Sequence, residues 1–144
     1  MVLVDTNILL YAVNPDTEQH AAAKRALERL HNGREPWALT WGILYEFLRV
    51  ATHPRVFPKP LSFRQAQAFV DGLLRSHSCL VLTETSEHRV ELAAAVGQLP
   101  RIGGNQLHDL HHAIVMREHG IRDILTCDTD FRLFPWVDIR SLTE

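Results

Sequence analysis

Five acidic residues stand at places where a folded chain has little structural use for a charge. Asp5 ends the apolar run Val2-Leu3-Val4. Glu46 lies among Ile43, Phe47 and Val50, Asp109 sits between Leu107 and Leu110, and Asp128 and Asp130 follow Ile124-Leu125-Thr126. Acids beside core residues are unfavourable unless something positive compensates them. Lys24 and Lys59 are the only lysines, and neither lies close in sequence to any of the five. Three or four carboxylates that meet, with water, form a hard oxygen cage suited to Mg²⁺ or Mn²⁺. A cation held there polarises a phosphoryl oxygen and acidifies water, which is a phosphodiester-hydrolysing site in outline. Taken singly, each acid also has a plainer reading. Asp5, Asp128 and Asp130 are ordinary turn or cap formers, Glu46 is a solvated helix side chain, and Asp109 complements a helix dipole. Convergence in the fold is what separates the two readings.

The pattern around these residues describes a fold able to gather them. Val2-Leu3-Val4 reads as a buried strand followed by a turn at Thr6-Asn7. Asp16 or Thr17 caps a helix to about Leu30, with Ala22, Ala26, Leu27 and Leu30 at helical spacing and Asn32-Gly33 closing it. Pro36 to Thr40 is a second strand, Trp41 to Thr52 a helix, and Pro54, Pro58 and Pro60 forbid regular helix after it. A helix begins at Ser62, and Cys79 to Leu82 forms the third strand. A helix from Ser86 to about Val96 and another from Asn105 to His119 come next, the latter stopped by Gly120. Asp123 to Thr126 and Val137 to Ile139 complete the strands. Strands separated by helices, never by tight hairpins, imply parallel pairing with crossover helices. The expected fold class is α/β, with three layers around a central parallel sheet of four to five strands. Ligands of such sheets gather at the carboxyl ends of the strands, where Asp5, Asp128 and Asp130 fall.

Composition narrows the function classes. The chain has 144 residues, 46% hydrophobic and 22% charged, which fits one folded domain over residues 1–144 and argues against disorder. A net charge of −2 excludes the simplest nucleic-acid signature, a strongly basic domain. The basic residues are nonetheless almost all Arg, whose planar fork suits phosphate and carboxylate, although coding bias gives the same result. Cys79 and Cys127 stand singly, so neither a disulfide framework nor a cysteine zinc site is expected. No apolar run approaches the about 18 residues of a membrane span, and Met1 to Asp5 lacks a basic leader. A reduced, cytoplasmic protein without membrane attachment is expected.

The ordered set carries a resemblance. Asp5-Thr6-Asn7 after the first strand, Glu46 in Tyr45-Glu46-Phe47-Leu48-Arg49, Asp109 in a late helix and Thr126-Cys127-Asp128-Thr129-Asp130-Phe131 resemble PIN-domain ribonucleases. Within that family the chain is similar to the VapC-type toxins of bacterial toxin–antitoxin pairs. The segment Phe47 to Phe57 resembles their actinobacterial, especially mycobacterial, branch. The resemblance implies an endoribonuclease dependent on Mg²⁺ or Mn²⁺, an RNA substrate, a cognate VapB-type antitoxin and a homodimer. It implies Asp5, Glu46, Asp109 and Asp128 as catalytic acids, with Asp5, Asp109, Asp128 and Asp130 around the metal. Asn7 and Thr126 then support Asp5, and Arg49, Arg55 and Arg132 are candidates for contacts to RNA phosphates. Leu9, Leu10, Tyr11, Trp41 and Phe47 are candidate apolar surface for the antitoxin, with core packing as the alternative.

Three other readings compete. His108-Asp109 with His111 and His112 suggests an HD-type metal phosphohydrolase, in which His108 and His112 share a helix face, but that fold is almost entirely helical. Receiver and haloacid-dehalogenase-like domains also carry acids after the first strand; here Asn7 replaces the second acid of the dehalogenase pattern, and no lysine follows Lys59. A catalytically inactive PIN-like binding module is the remaining reading, against which stands the complete acid set, since clustered like charges repel without a cation.

Overall fold

Five short strands, six helices and one 3₁₀ turn make up residues 1–143, the part of the protein described by the computed structural model. Strands β1 (Val2–Val4), β2 (Trp37–Thr40), β3 (Cys79–Leu82), β4 (Asp123–Leu125) and β5 (Asp138–Arg140) form one sheet in the order β3-β2-β1-β4-β5, every pair parallel. The apolar runs seen in the sequence are buried because the central strands are covered on both faces. Leu3, Val4, Trp37, Ala38, Leu39 and Ile124 are fully enclosed, whereas Leu80 on edge strand β3 is exposed.

From β1 the chain moves outward to β2 and β3, then returns to the other side of β1 for β4 and β5. Right-handed crossovers place the helices of the outward and return journeys on opposite faces of the sheet. Helices α1 (Thr6–Val13), α2 (His20–Asn32), α3 (Trp41–Ala51) and α4 (Phe63–Leu74) pack against one another as one layer. Helices α5 (His88–Gln98) and α6 (Gln106–Glu118) form the other. The result is the expected three-layer α/β arrangement. The direction of winding reverses between β1 and β4, and a crevice opens at their carboxyl ends, the usual ligand position in such sheets.

Local signals set several boundaries closely. The Thr40 hydroxyl caps α3 by accepting from the Ile43 amide at 3.1 Å. Ser62 and Gln65 make a reciprocal capping box at the start of α4. Helix α6 stops at Gly120, whose φ of 68° suits glycine; Ile121 N–H then bonds back to Met116 and Gly120 N–H to Arg117.

Elsewhere the structure departs from expectation. Thr6-Asn7 is not a turn but the first part of α1, with Asp5 as its cap. This helix has little polar face, and Ile8 and Leu9 are fully buried, so packing beneath α2 and α3 rather than periodicity decides its conformation. Helix α2 begins at His20 because Asn14 draws Asp16 and Thr17 into a turn, accepting from the Asp16 amide through its side chain and from the Thr17 hydroxyl through its backbone carbonyl. Helix α5 begins at His88, Thr85 rather than Ser86 organising its entry through a bond from the Glu87 amide. The 3₁₀ turn Thr129–Leu133 carried no sequence signal beyond Asp128, and buried Phe131 anchors it. A five-stranded parallel sheet is also not the nearly all-helical HD fold.

Candidate active site

Asp5 stands at the reversal point of the sheet and is 8% exposed. Its Oδ1 accepts from the Thr6 amide at 2.8 Å; its Oδ2 accepts from the Thr126 hydroxyl at 2.7 Å and the Asn7 amide at 3.1 Å. The Thr126 oxygen, buried at the end of β4, in turn accepts from Asn7 Nδ2 at 3.0 Å and from the Asp128 amide at 2.9 Å. Asn7 Oδ1 accepts from the Cys127 amide at 3.2 Å. The ends of β1 and β4 are thus stitched into one unit in which Asn7 and Thr126 fix the Asp5 carboxylate. Asp128 faces the same crevice end of the sheet, and its Oδ1 accepts from the Asp130 amide at 2.8 Å as the cap of the 3₁₀ turn.

The other two acids arrive from opposite helical layers. Glu46 on α3 is half-exposed; its Oε2 lies 3.5 Å from the Thr6 hydroxyl, and its Oε1 lies 3.9 Å from Arg49. Thr6 also donates to the Ile43 carbonyl at 3.3 Å, so one hydroxyl ties the start of α1 to α3 beside Glu46. Asp109, in the first turn of α6, is half-buried and takes no hydrogen bond or ion pair from any described residue.

Electrostatics shows that these groups share one neighbourhood. Burial, followed by the fields of Asp5, Asp128, Glu46 and Asp130, pushes the Asp109 carboxyl up to about 7. Burial raises Asp5 most; the hydrogen bonds from Thr126 and Thr6 partly offset that, and Asp128 and Glu46 raise it further. An acid in this setting is favoured in its charged form only when a cation joins it. The donors are carboxylate oxygens, the chemistry that Mg²⁺ and Mn²⁺ prefer. No three of the described His, Cys, Asp and Glu side chains stand together at ligand spacing, so the fold fixes the neighbourhood and its charge rather than a finished coordination shell. Glu46 and Asp109 also face each other across a cleft of about 640 Å³, completed by Tyr45, Arg49, Asn105 and His108.

The PIN domain family profile matches residues 2–137. The chain belongs to the PIN-domain family. Ribonuclease VapC37 of Mycobacterium tuberculosis is 33% identical to it over 137 residues, covering 95% of this chain and 94% of that protein. VapC ribonuclease Mb2897 of Mycobacterium bovis is 34% identical over 134 residues, 93% of this chain and 90% of that one. Among solved structures, Mycobacterium tuberculosis VapC20, a sarcin-ricin loop cleaving toxin, superposes with a TM-score of 0.68 at 21% identity, over 97% of this chain and 99% of that chain. A chain of Rickettsia felis VapBC2, bound to a DNA fragment from its promoter, gives 0.67 at 20% identity, over 98% of both chains. At these identities the structures show a shared fold.

Within this PIN domain Asp5, Asn7, Glu46, Asp109, Thr126 and Asp128 come together at the crevice, and Asp130 adds its charge from the exposed side of the turn. Of the three arginines, Arg49 lines the cleft, whereas Arg55 and Arg132 are exposed and are not among its lining residues. The histidine run divides. His108 lines the cleft, His111 pairs with Glu84, and His112 is buried with its Nδ1 3.3 Å from the Thr40 hydroxyl. His108 and His112 therefore serve different surroundings and form no shared ligand pair. Leu9 and Phe47 are core residues, Leu10 and Tyr11 are partly buried against the core, and Trp41 alone of the apolar candidates is half-exposed. Sequence reasoning missed Thr6, Tyr45 and Asn105 as site residues and weighed His108 only as a metal ligand of the HD-type reading. The readable signal was position: Thr6 follows Asp5, Tyr45 precedes Glu46, and Asn105 lies one helical turn before Asp109.

Proposed function

We propose that the protein is a divalent-cation-dependent endoribonuclease, the toxin of a cytoplasmic toxin–antitoxin pair, with its one domain carrying the whole activity. The observation that carries this reading is Asp109, a half-buried carboxyl without a hydrogen-bond donor among the described residues, set in the field of four other acids. A fold gains nothing from such an arrangement unless a cation completes it. The relatives named VapC ribonucleases, alike over nearly their whole length, support RNA as the substrate. The VapBC assemblies among the fold's neighbours support an antitoxin partner, and association into a homodimer belongs to the same proposal. No helix among the described residues is long and apolar enough to cross a membrane.

In this reading Asp5, Asp109, Asp128 and Asp130 hold Mg²⁺ or Mn²⁺. A bound cation of that kind supplies polarisation of a phosphoryl oxygen and acidification of water. Glu46, catalytic with Asp5, Asp109 and Asp128, orients the attacking water from the α3 side. Asn7 and Thr126 hold the Asp5 carboxylate in one orientation, which such sites need from neighbouring groups. Arg49 binds phosphate in the cleft, and Arg55 and Arg132 extend that contact along the strand of RNA.

The test is incubation of the purified, antitoxin-free protein with a structured RNA pool, with Mg²⁺ or Mn²⁺ and with EDTA, beside Asp5→Asn and Asp109→Asn. Cleavage should require the metal and vanish in both variants while their circular dichroism is unchanged. Wild-type cleavage in both variants would remove the acids from the mechanism. Absence of any cleavage, with retained RNA binding, would make the domain a binding module.

A further inference from the structure

Trp41 and Tyr45 stand one turn apart on the outer side of α3, their ring centroids 6.4 Å apart and their planes inclined by 55°. They are 50% and 68% exposed, large apolar area that folding has left in water. Neither belongs to the hydrophobic core. Tyr45 lines the cleft that holds Glu46 and Asp109, and it shares that wall with Arg49, Asn105 and His108.

We infer that Tyr45, extended by Trp41, is a stacking platform for an unpaired RNA base next to the bond being cut. The inference rests on the proposed ribonuclease site. A base offers its face to an aromatic ring only when it is unstacked, and every base has such a face, so the contact requires an unpaired base rather than a particular sequence. The tilt of the two rings makes an open shelf rather than a slot between parallel planes. Donors stand in the same cleft for the rest of a nucleotide: the Arg49 guanidinium suits a phosphate, and the Asn105 amide and His108 imidazole suit a base edge. A second copy of the chain is the other occupant to consider for exposed aromatics. The cores of protein interfaces are depleted in charge, whereas this cleft contains Glu46, Arg49 and Asp109.

Two measurements test the platform. In an Asp5→Asn background, which binds without cutting, a mixed-sequence single-stranded RNA should quench tryptophan fluorescence. The quenching should disappear on Trp41→Phe and should not occur with a fully paired duplex. In otherwise wild-type protein, Tyr45→Ala should raise KM for the single-stranded pool about tenfold, with a smaller change in saturating rate, and Tyr45→Trp should restore it. An unchanged KM in Tyr45→Ala, or quenching equal with duplex and single strand, would overturn the proposal. So would an unchanged KM with Tyr45→Ala and Trp41→Ala shifting a dimer to monomer in sedimentation, which would make this face an interface between copies. Failure of the underlying reading looks different: Asp5→Asn would then still cut.

Discussion

Thr126 and Asp5, 121 residues apart in the chain, are joined by a 2.7 Å hydrogen bond in which a buried hydroxyl donates to the carboxylate. The same oxygen accepts from Asn7 and from the Asp128 amide, so its single proton and both lone pairs are in use. One side chain thereby sets the relation between β1, β4 and the start of the 3₁₀ turn.

Thr126→Val keeps the shape and removes all three bonds. Cleavage should fall about ten- to a hundredfold, the usual effect of losing a group that orients a ligand. Stability should drop by about 1–3 kcal/mol because polar partners are left unpaired in a buried place. Thr126→Ser should recover most of both. Initial rates and urea unfolding of the three proteins decide it, and a Val variant with wild-type rate would show that Asp5 needs no such support.

Asp109→Asn removes one charge from a crowded set. In EDTA the variant should melt a few degrees higher than wild type, since burial and four like charges act against the wild-type carboxylate. With saturating Mn²⁺ the order should invert, because only wild type gains stability by binding the ion. Paired melting curves test both halves. A variant less stable than wild type in EDTA would show that Asp109 is structurally favourable as a carboxylate.

His112 gives the fold a pH dependence of definite sign. Burial, then the neighbouring His111 and His108, push it from its ordinary value down to about 4. The folded chain therefore keeps it neutral between about 6.5 and 4 while the unfolded chain takes up a proton. Its contribution is complete above pH 6.5 and is lost as pH falls toward 4, up to about 3 kcal/mol. His112→Gln should flatten the wild-type curve across that window in EDTA, measured by urea unfolding at half-unit steps. Parallel curves for the two proteins would assign the acid sensitivity elsewhere.

Arg49, Arg55 and Arg132 are separable by salt. With the non-cleaving Asp5→Asn protein, each arginine that touches a phosphate should, when changed to Ala, reduce the slope of log affinity against log salt by about 0.7 for single-stranded RNA. The largest loss of affinity is expected for Arg49, which lines the cleft. An unchanged slope would return that arginine to the solvated surface.

How much of this was readable beforehand depended on whether a residue's role is local. The acids at strand ends could be found because Val2-Leu3-Val4 and Ile124-Leu125-Thr126 mark buried strands, and parallel sheets present ligands at their carboxyl ends. Helices α3 and α4 were placed closely because Thr40 and Ser62 announce their own caps. Helix α1 was not, because Ile8, Leu9, Leu10 and Tyr11 give no helical period; its conformation comes from the layers that bury it. His112 reads in the sequence as a metal-ligand candidate on one helix face with His108, and only its contact with Thr40 shows it to be internal. The exposure of Tyr45 was equally out of reach, since a residue beside Glu46 on an amphipathic helix can point either way.

The stitching of β1 to β4 also sets an order of events during synthesis. Asp5 is synthesised 121 residues before Thr126, and all six α-helices lie between them in the chain. A nascent chain carrying only the outward half of the sheet lacks both the hydroxyl that orients Asp5 and the strand that brings Asp128 beside it. The crevice therefore cannot be assembled until both halves of the sheet have been made.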